Sequence, residues 1–387
     1  MKTNKRSLVD SNYVNEGNKK TKQEDLKIVQ KNMYGDGVAW FRGEIIGKGS
    51  YGYVFKVNLK NPNYRYSLYP PIMAVKSAEM SVSYSIQKEK QIMDNVRGCP
   101  NVIKCYGDEI TDDENNQMVY NMLLEYASGG TLADLIKKSN GKGLPEFDVK
   151  RYARSILRGV RYVHKKGYVH CDLKPENVML VESSRTKGML IAKIGDLGLA
   201  KRVKQVKKRN AGPVWRGTAR YLSPEVVING VQGQPADIWA VGCIVFEMLT
   251  GNSLLFPERN LSIDEIARRI RDYKELPFIS SDVSEEAISF LKCCLSKKVM
   301  CRLTANMLLS HPFLKGLGDD VSEVDELQDE ILDINAITSS PSAFDDEDEL
   351  WSSSSSEEEV DVIEDQKITK VRFHEVHRLP VTVSKIC

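Results

Sequence analysis

No run of apolar residues in this chain is long enough to cross a bilayer: the longest, Ile238 to Phe246, stops at Glu247. The amino terminus is polar and basic with no apolar core, so a secretory signal is not expected. None of the eight cysteines belongs to a CxxC pair, which points to reduced thiols in the cytosol or nucleus rather than a disulfide framework. The adjacent Cys293 and Cys294 read as small buried hydrophobes. Metal-ligand spacing and internal repeats are also lacking. What is present is ordinary globular material, 41% hydrophobic and 28% charged over 387 residues. That is enough for one large or two modest domains with an ample core.

The net charge of +2 conceals an asymmetry. Residues 316–387 hold 20 Asp and Glu against 5 Lys and Arg, a charge of −15 that leaves +17 on the remainder. Such a division bears on partners and self-association rather than on fold. The acidic tail, with SSSSSEEE at its centre, cannot bury enough apolar area to offset the entropy of ordering, so it is expected to be largely disordered. Residues 1–37 form a polar, basic arm without periodicity. Its Lys5-Arg6 and Lys19-Lys20-Thr21-Lys22 clusters resemble a two-part nuclear import signal, and equally a solvated arm. The expected location is therefore nucleus and cytoplasm. The arm has few aromatics to stack on bases and the body has no reader motif, so nucleic-acid binding is not expected.

Between arm and tail, WFRGEIIGKGSYGYVFKVNL reads as two strands about a glycine-rich turn. IMAVKSA, after the loop Asn61 to Pro71, reads as a short buried strand, and the stretch around Glu89 as a helix. Further strand-like sequence ends in MVYNMLLEYASGG, with a hinge expected near Glu125 to Gly130. From Leu132 the pattern turns helical. Val149, Tyr152, Ala153, Ile156, Leu157, Val160, Val163 and His164 follow the i, i+3, i+4 rule. DIWAVGCIVFEMLTG is apolar nearly all round, as suits a buried helix. The order predicts an α+β body of two lobes, strand-rich over about 38–126 and helix-rich over about 127–315.

The glycines at 47, 49 and 52 in GKGSYG are weak evidence alone, because GxGxxG also marks dinucleotide-binding folds. There, however, the motif opens a helix, whereas Tyr53 to Leu59 continues as strand. A glycine hairpin can lay backbone N–H groups over phosphates. Lys76, on the next strand among Met73, Ala74 and Val75, is a buried ammonium able to hold phosphate and in need of a partner. Glu89 is the first candidate and Glu79 the second. In HCDLKPEN, Asp172 can accept a proton or orient a hydroxyl, and Lys174 can neutralise a transferring phosphoryl group. Asn177 supplies a hard oxygen suited to Mg²⁺, and Asp196 in AKIGDLG supplies another.

In this order and spacing the set resembles the eukaryotic protein kinases over about residues 38 to 315, including the PE of SPEVV, Asp237 in DIWAVG and Arg302 in CRLTANMLLSHPFL. The resemblance implies a bilobal kinase fold and transfer of phosphate from ATP with Mg²⁺. It implies that Ile46, Gly47, Lys48, Gly49, Ser50, Tyr51, Gly52, Tyr53 and Val54 bind ATP together with Lys76, Glu89, Glu125 and Ala127. It further implies catalysis by Asp172 and Lys174, metal binding by Asn177 and Asp196, and a structural pair of Arg302 with Glu225. GTARYLSPE looks like the serine/threonine form, with Thr218 near Asp172 and Lys174. WFRGEIIGKGSYGYVF, VHCDLKPENV and the HPFL ending are similar to plant MEKK-like mitogen-activated protein (MAP) kinase kinase kinases, in short forms with a C-terminal tail. MAP kinase kinases are then the implied substrates of a monomer with no membrane partner. The chain departs from that group in GTARYLSPE, and it has Leu197 where Phe is commoner. The first departure weakens any inference about substrate; the second leaves Asp196 untouched.

Many kinases carry Arg immediately before the catalytic Asp, where a phosphate on the activation loop neutralises it. Here the residue is Cys171. The loop from Leu197 to Gly217 contains no Ser, Thr or Tyr, seven Lys and Arg, and no acidic residue. The chain is therefore expected to act without the usual loop switch, its basic loop meeting either an acidic substrate surface or the acidic tail, or neither. The competing function is a pseudokinase scaffold. Pseudokinases usually lack the equivalents of Lys76, Asp172 or Asp196, and all three are present here.

Overall fold

The structure, a computed structural model, describes residues 34–317 apart from 50–51, 61–68, 184–185, 204–215, 256–260, 275, 278 and 280–281, together with 361–364 and 367–370. Five antiparallel strands build the first lobe: β1 (Trp40–Gly49), β2 (Gly52–Leu59), β3 (Ile72–Glu79), β4 (Cys105–Asp112) and β5 (Met118–Glu125), in the order β1-β2-β3-β5-β4. Helix α1 (Tyr84–Asn95) follows β3 and carries Glu89 on its buried face with Ile86, Ile92 and Met93. One face of the sheet closes over a separate core of Trp40, Phe55, Val57, Met73, Val75, Val119 and Leu123.

The second lobe begins with α2 (Leu132–Lys138), whose start is fixed by a capping box between Thr131 and Asp134. In α3 (Glu146–Lys165), seven of the eight residues expected on the apolar face are buried, Val149 through Val163. The eighth, His164, instead hydrogen-bonds Asp237 through Nε2 at 2.8 Å. Short strands β6 (Tyr168–Val169), β7 (Val178–Glu182), β8 (Leu190–Ile194) and β9 (Lys201–Arg202) carry the loops of the cleft, with β6 paired to β9 and β7 to β8. Then come α4 (Pro224–Asn229), α5 (Gln234–Thr250), α6 (Ile263–Asp272), α7 (Glu285–Cys294) and α8 (Ala305–Leu309). Helix α5 is buried all round, from Ala236 to Leu249 with the exception of Glu247, as its apolar sequence requires. A further pair, β10 (Asp361–Glu364) and β11 (Lys367–Lys370), lies in the tail. Among the described residues no helix is long and apolar enough to cross a membrane.

The lobes meet along β8. Ile103 N–H donates to Ile194 O and Ile194 N–H to Asn101 O, both at 2.9 Å. One position earlier, the Lys193 ammonium holds both Glu125 oxygens, at 2.7 and 2.9 Å.

The folded unit is larger than its expected boundaries. Tyr34 to Gly37, read from sequence as the end of the arm, pack onto the first lobe because Arg42 needs them. The Arg42 side chain points inward from β1, and the residue is 1% exposed. It donates to Gly35 O, Tyr34 O, Ser77 Oγ and Asn121 Oδ1. Its guanidinium also lies 4.4 Å from the Phe55 ring centroid and 4.9 Å from that of Trp40. At the other end Gly316 and Leu317 belong to the fold, Leu317 being buried. Residues 1–33, the loop stretch 204–215 and nearly all of the tail lie outside the described residues, and with them the expected import clusters and the disorder expected of arm and tail.

Candidate active site

Two clusters, joined through His170, make up the site. The first rests on the glycine hairpin, in which Gly47 pairs with Val54, Lys48 with Tyr53 and Gly49 with Gly52. Gly52 is required by contact, because a Cβ there would stand 2.1 Å from Ser77 O. The Lys48 ammonium lies over the Tyr53 ring, and Ile46 is exposed. Ser50 and Tyr51, at the tip, lie outside the described residues. Lys76, opposite Val54 in the β2–β3 register, reaches Glu89 Oε2 at 2.6 Å and Asp196 Oδ1 at 3.3 Å. Glu79 is not the partner. Burial alone lowers the Lys76 ammonium pKa, but Asp196 and Glu89 outweigh it and the value is raised. The same ammonium holds Asp196 below the ordinary carboxylate range against burial. The Asp196 side chain remains 45% accessible and opens into the cleft.

The second cluster is built on the loop between β6 and β7. Asp237 of α5 accepts the His170 N–H at 2.8 Å and the Cys171 N–H at 3.0 Å, fixing the loop's backbone. Asp172 N–H donates to His170 Nδ1, so the ring proton belongs on Nε2, which donates to Gly195 O at 3.0 Å. His170 thereby ties the turn of Asp172 to the turn of Asp196. Asp172 Oδ1 accepts from both the N–H and the hydroxyl of Thr218, each at 2.8 Å. Lys174 donates to Thr218 Oγ1 at 2.7 Å and lies 3.3 Å from Asp172 Oδ2. Asn177, at the end of a single turn opened by Pro175, donates its amide to Asp172 O at 2.8 Å and Oδ2 at 3.1 Å.

With its amide nitrogen occupied on Asp172, Asn177 keeps its carbonyl oxygen as an acceptor. That oxygen and the Asp196 carboxylate are hard donors of the kind magnesium takes when phosphate oxygens complete its shell. No group of three or more His, Cys, Asp and Glu suited to a metal exists among the described residues, so the donor set fits a phosphate-assisted ion and not a closed metal cage.

The remaining predicted residues fall further out. Glu125 ends β5 with its carboxylate turned to Lys193, and Ala127 follows in the loop joining the lobes. Arg302, its side chain fully buried, binds Glu225 at 2.6 and 3.0 Å and adds bonds to Pro235 O and Ser296 O. Four features have no counterpart in the sequence reading. They are the Arg42 network, the Lys193–Glu125 pair, the bond from Tyr221 to Glu247, and Gln232 beside Cys171. Only Arg42 left a local signal: it occupies an inward position of WFRGE in step with buried Trp40.

Residues 40–314 match the protein kinase domain family. The chain is 38% identical over 286 residues to mitogen-activated protein kinase kinase kinase 20 of Arabidopsis thaliana, covering 73% of this chain and 81% of that protein. It is 39% identical over 277 residues to mitogen-activated protein kinase kinase kinase 17 of the same plant, covering 71% and 69%. Serine/threonine-protein kinase BCK1/SLK1/SSP31 of Saccharomyces cerevisiae is 33% identical over 292 residues, which cover 71% of this chain and 18% of the yeast protein. With a bilobal fold, a cleft lined by both clusters and a family match over most of its length, the chain belongs to the protein kinase family, related to the mitogen-activated protein kinase kinase kinases of plants.

Proposed function

We propose that this chain transfers the γ-phosphate of ATP to serine or threonine hydroxyls of a protein, and that MAP kinase kinases are its substrates. The observation that carries the reading is that Lys76, Glu89 and Asp196 are tied through His170 to the cluster of Asp172, Lys174 and Asn177. The names of the plant relatives support the substrate class. The glycine hairpin covers phosphates, and Lys76, aligned by Glu89, holds them. Asp172 accepts the hydroxyl's hydrogen bond and orients it for attack, while Lys174 neutralises the charge that develops on the phosphoryl group. Asn177 and Asp196 would hold magnesium, which when bound would neutralise charge on the phosphate oxygens. The protein's share of the work is positioning and electrostatics, so one displaced group is costly.

Activity without loop phosphorylation is part of the proposal. Burial, with Asp237 nearby, pushes the Cys171 thiol up to about 12, so this position holds a neutral side chain where a phosphate receptor requires a cation. The deciding experiment is transfer of labelled phosphate to catalytically inactive MAP kinase kinases, before and after phosphatase treatment, with Asp172→Asn as control. Transfer that survives phosphatase and vanishes in Asp172→Asn supports both statements. Loss after phosphatase overturns the second, and transfer to no protein overturns the first in favour of a scaffold.

A further inference from the structure

Cys171 has a left-handed backbone, φ +69°, which a residue with a side chain adopts only when its surroundings hold it there. Asp237 grips the N–H side of this strained unit. The carbonyl side is gripped from the same stretch of chain, by Gln232, five residues before Asp237. Gln232 Nε2 donates to Cys171 O at 3.3 Å. The same amide makes a two-way pair with Arg216, giving a hydrogen bond to Arg216 O at 2.8 Å and taking one from Arg216 N–H at 3.3 Å. Gln232 is 8% exposed, so these bonds form away from bulk water.

Arg216 leads directly into two residues that touch the catalytic loop. Gly217, at φ +103°, passes so close to that loop that a Cβ would stand 2.2 Å from Cys171 O. Thr218 then caps Asp172 through both of its donors. Three consecutive residues are thus laid along the loop that carries Asp172. The first of the three is held by an uncharged side chain. Nothing in this arrangement needs a phosphate.

We propose that Gln232 is a positioning residue for protein phosphorylation, fastening Arg216–Thr218 to the catalytic loop by neutral hydrogen bonds where the chain has no arginine to receive a phosphate. The proposal rests on the kinase reading above. It makes Gln232 specific to the acceptor side of the reaction, since its bonds reach the segment bordering Asp172 and none reaches the Lys76 cluster.

The test compares the full chain with Gln232→Ala and with Gln232→Met, which keeps the volume and removes the hydrogen bonds. An inactive MAP kinase kinase and a generic substrate such as myelin basic protein serve as acceptors, and thermal melting is followed in parallel. Loss of two to three buried hydrogen bonds predicts that kcat/KM for the protein acceptor falls about ten- to a hundredfold. KM for ATP stays at the wild-type value, and Gln232→Met melts a few degrees lower because the same bonds also hold the fold. Equal kcat/KM in wild type and both variants overturns the proposal. So does a loss of transfer matched by an equal rise in KM for ATP, which makes Gln232 merely structural. A wild type that phosphorylates neither acceptor refutes the kinase reading itself, a result distinct from both.

Discussion

Glu247 offers a test of the electrostatics of the second lobe. Its carboxylate lies on the otherwise apolar helix α5 and accepts the Tyr221 hydroxyl at 3.1 and 3.3 Å. Burial raises its pKa; the Tyr221 bond lowers it, Glu176 raises it, and Ser253 and Arg220 lower it, leaving it at about 7 against an ordinary 4.5. A carboxyl that holds its proton more tightly when folded costs nothing below pH 4.5, where both states are protonated. From there the cost grows by about 1.4 kcal/mol per pH unit, until the folded state also ionises near pH 7. The total is about 3 kcal/mol, an upper bound because Glu247 keeps some contact with solvent. Glu247→Gln keeps an acceptor for Tyr221 and cannot ionise, so it removes the cost. In thermal melts, the variant and wild type should nearly coincide at pH 5. The variant should melt about 5–10 °C higher at pH 8, at roughly 2–4 °C per kcal/mol for a domain of this size. A difference between the two proteins that stays constant from pH 5 to pH 8 refutes the reasoning.

Three further outcomes are expected. Glu225→Gln leaves the buried Arg302 cation without its counter-charge and should cost about 3–5 kcal/mol in urea unfolding; the double change with Arg302→Met should cost less than that. Arg42→Met removes the donor to Tyr34 O and Gly35 O, while Asn121 Oδ1 keeps its bond from Ser77, so a loss of about 2–3 kcal/mol is predicted by the same measurement. Ser223 lines a small cavity with Asp172 and Gln232, and its buried hydroxyl is without a hydrogen-bond partner among the described residues. Ser223→Ala should therefore match wild-type stability or exceed it by up to about 1 kcal/mol, and a clear loss would reveal a hidden partner.

The features that were legible in sequence are those written in local periodicity or in motif spacing. Helix α3 announces its buried face from Val149 to Val163, and α5 its burial, because one helix carries the whole signal. Glu89 was identifiable as the partner of Lys76 because a buried ammonium demands an anion and the next helix offers one. What escaped depends on contacts between distant segments. Arg42 gathers partners 7, 8, 35 and 79 positions away, and two of these, Tyr34 and Gly35, lie in a stretch whose composition resembles the arm. Glu125 and Lys193, 68 positions apart, each sit in an unexceptional strand. Gln232 bonds to main-chain atoms of Cys171 and Arg216, and such partners leave no trace in residue type.

The meeting of the lobes along β8 has a mechanical consequence. Strand β8 carries on consecutive residues the ion pair to the end of β5 and the main-chain bonds to the segment after α1, so it is the seam at which the two lobes are fastened. Two residues beyond that seam stands Asp196. A lever pivoted so near the site sweeps its far end widely while scarcely displacing the groups at the fulcrum. A rotation about that seam would carry the glycine hairpin farther than Asp196.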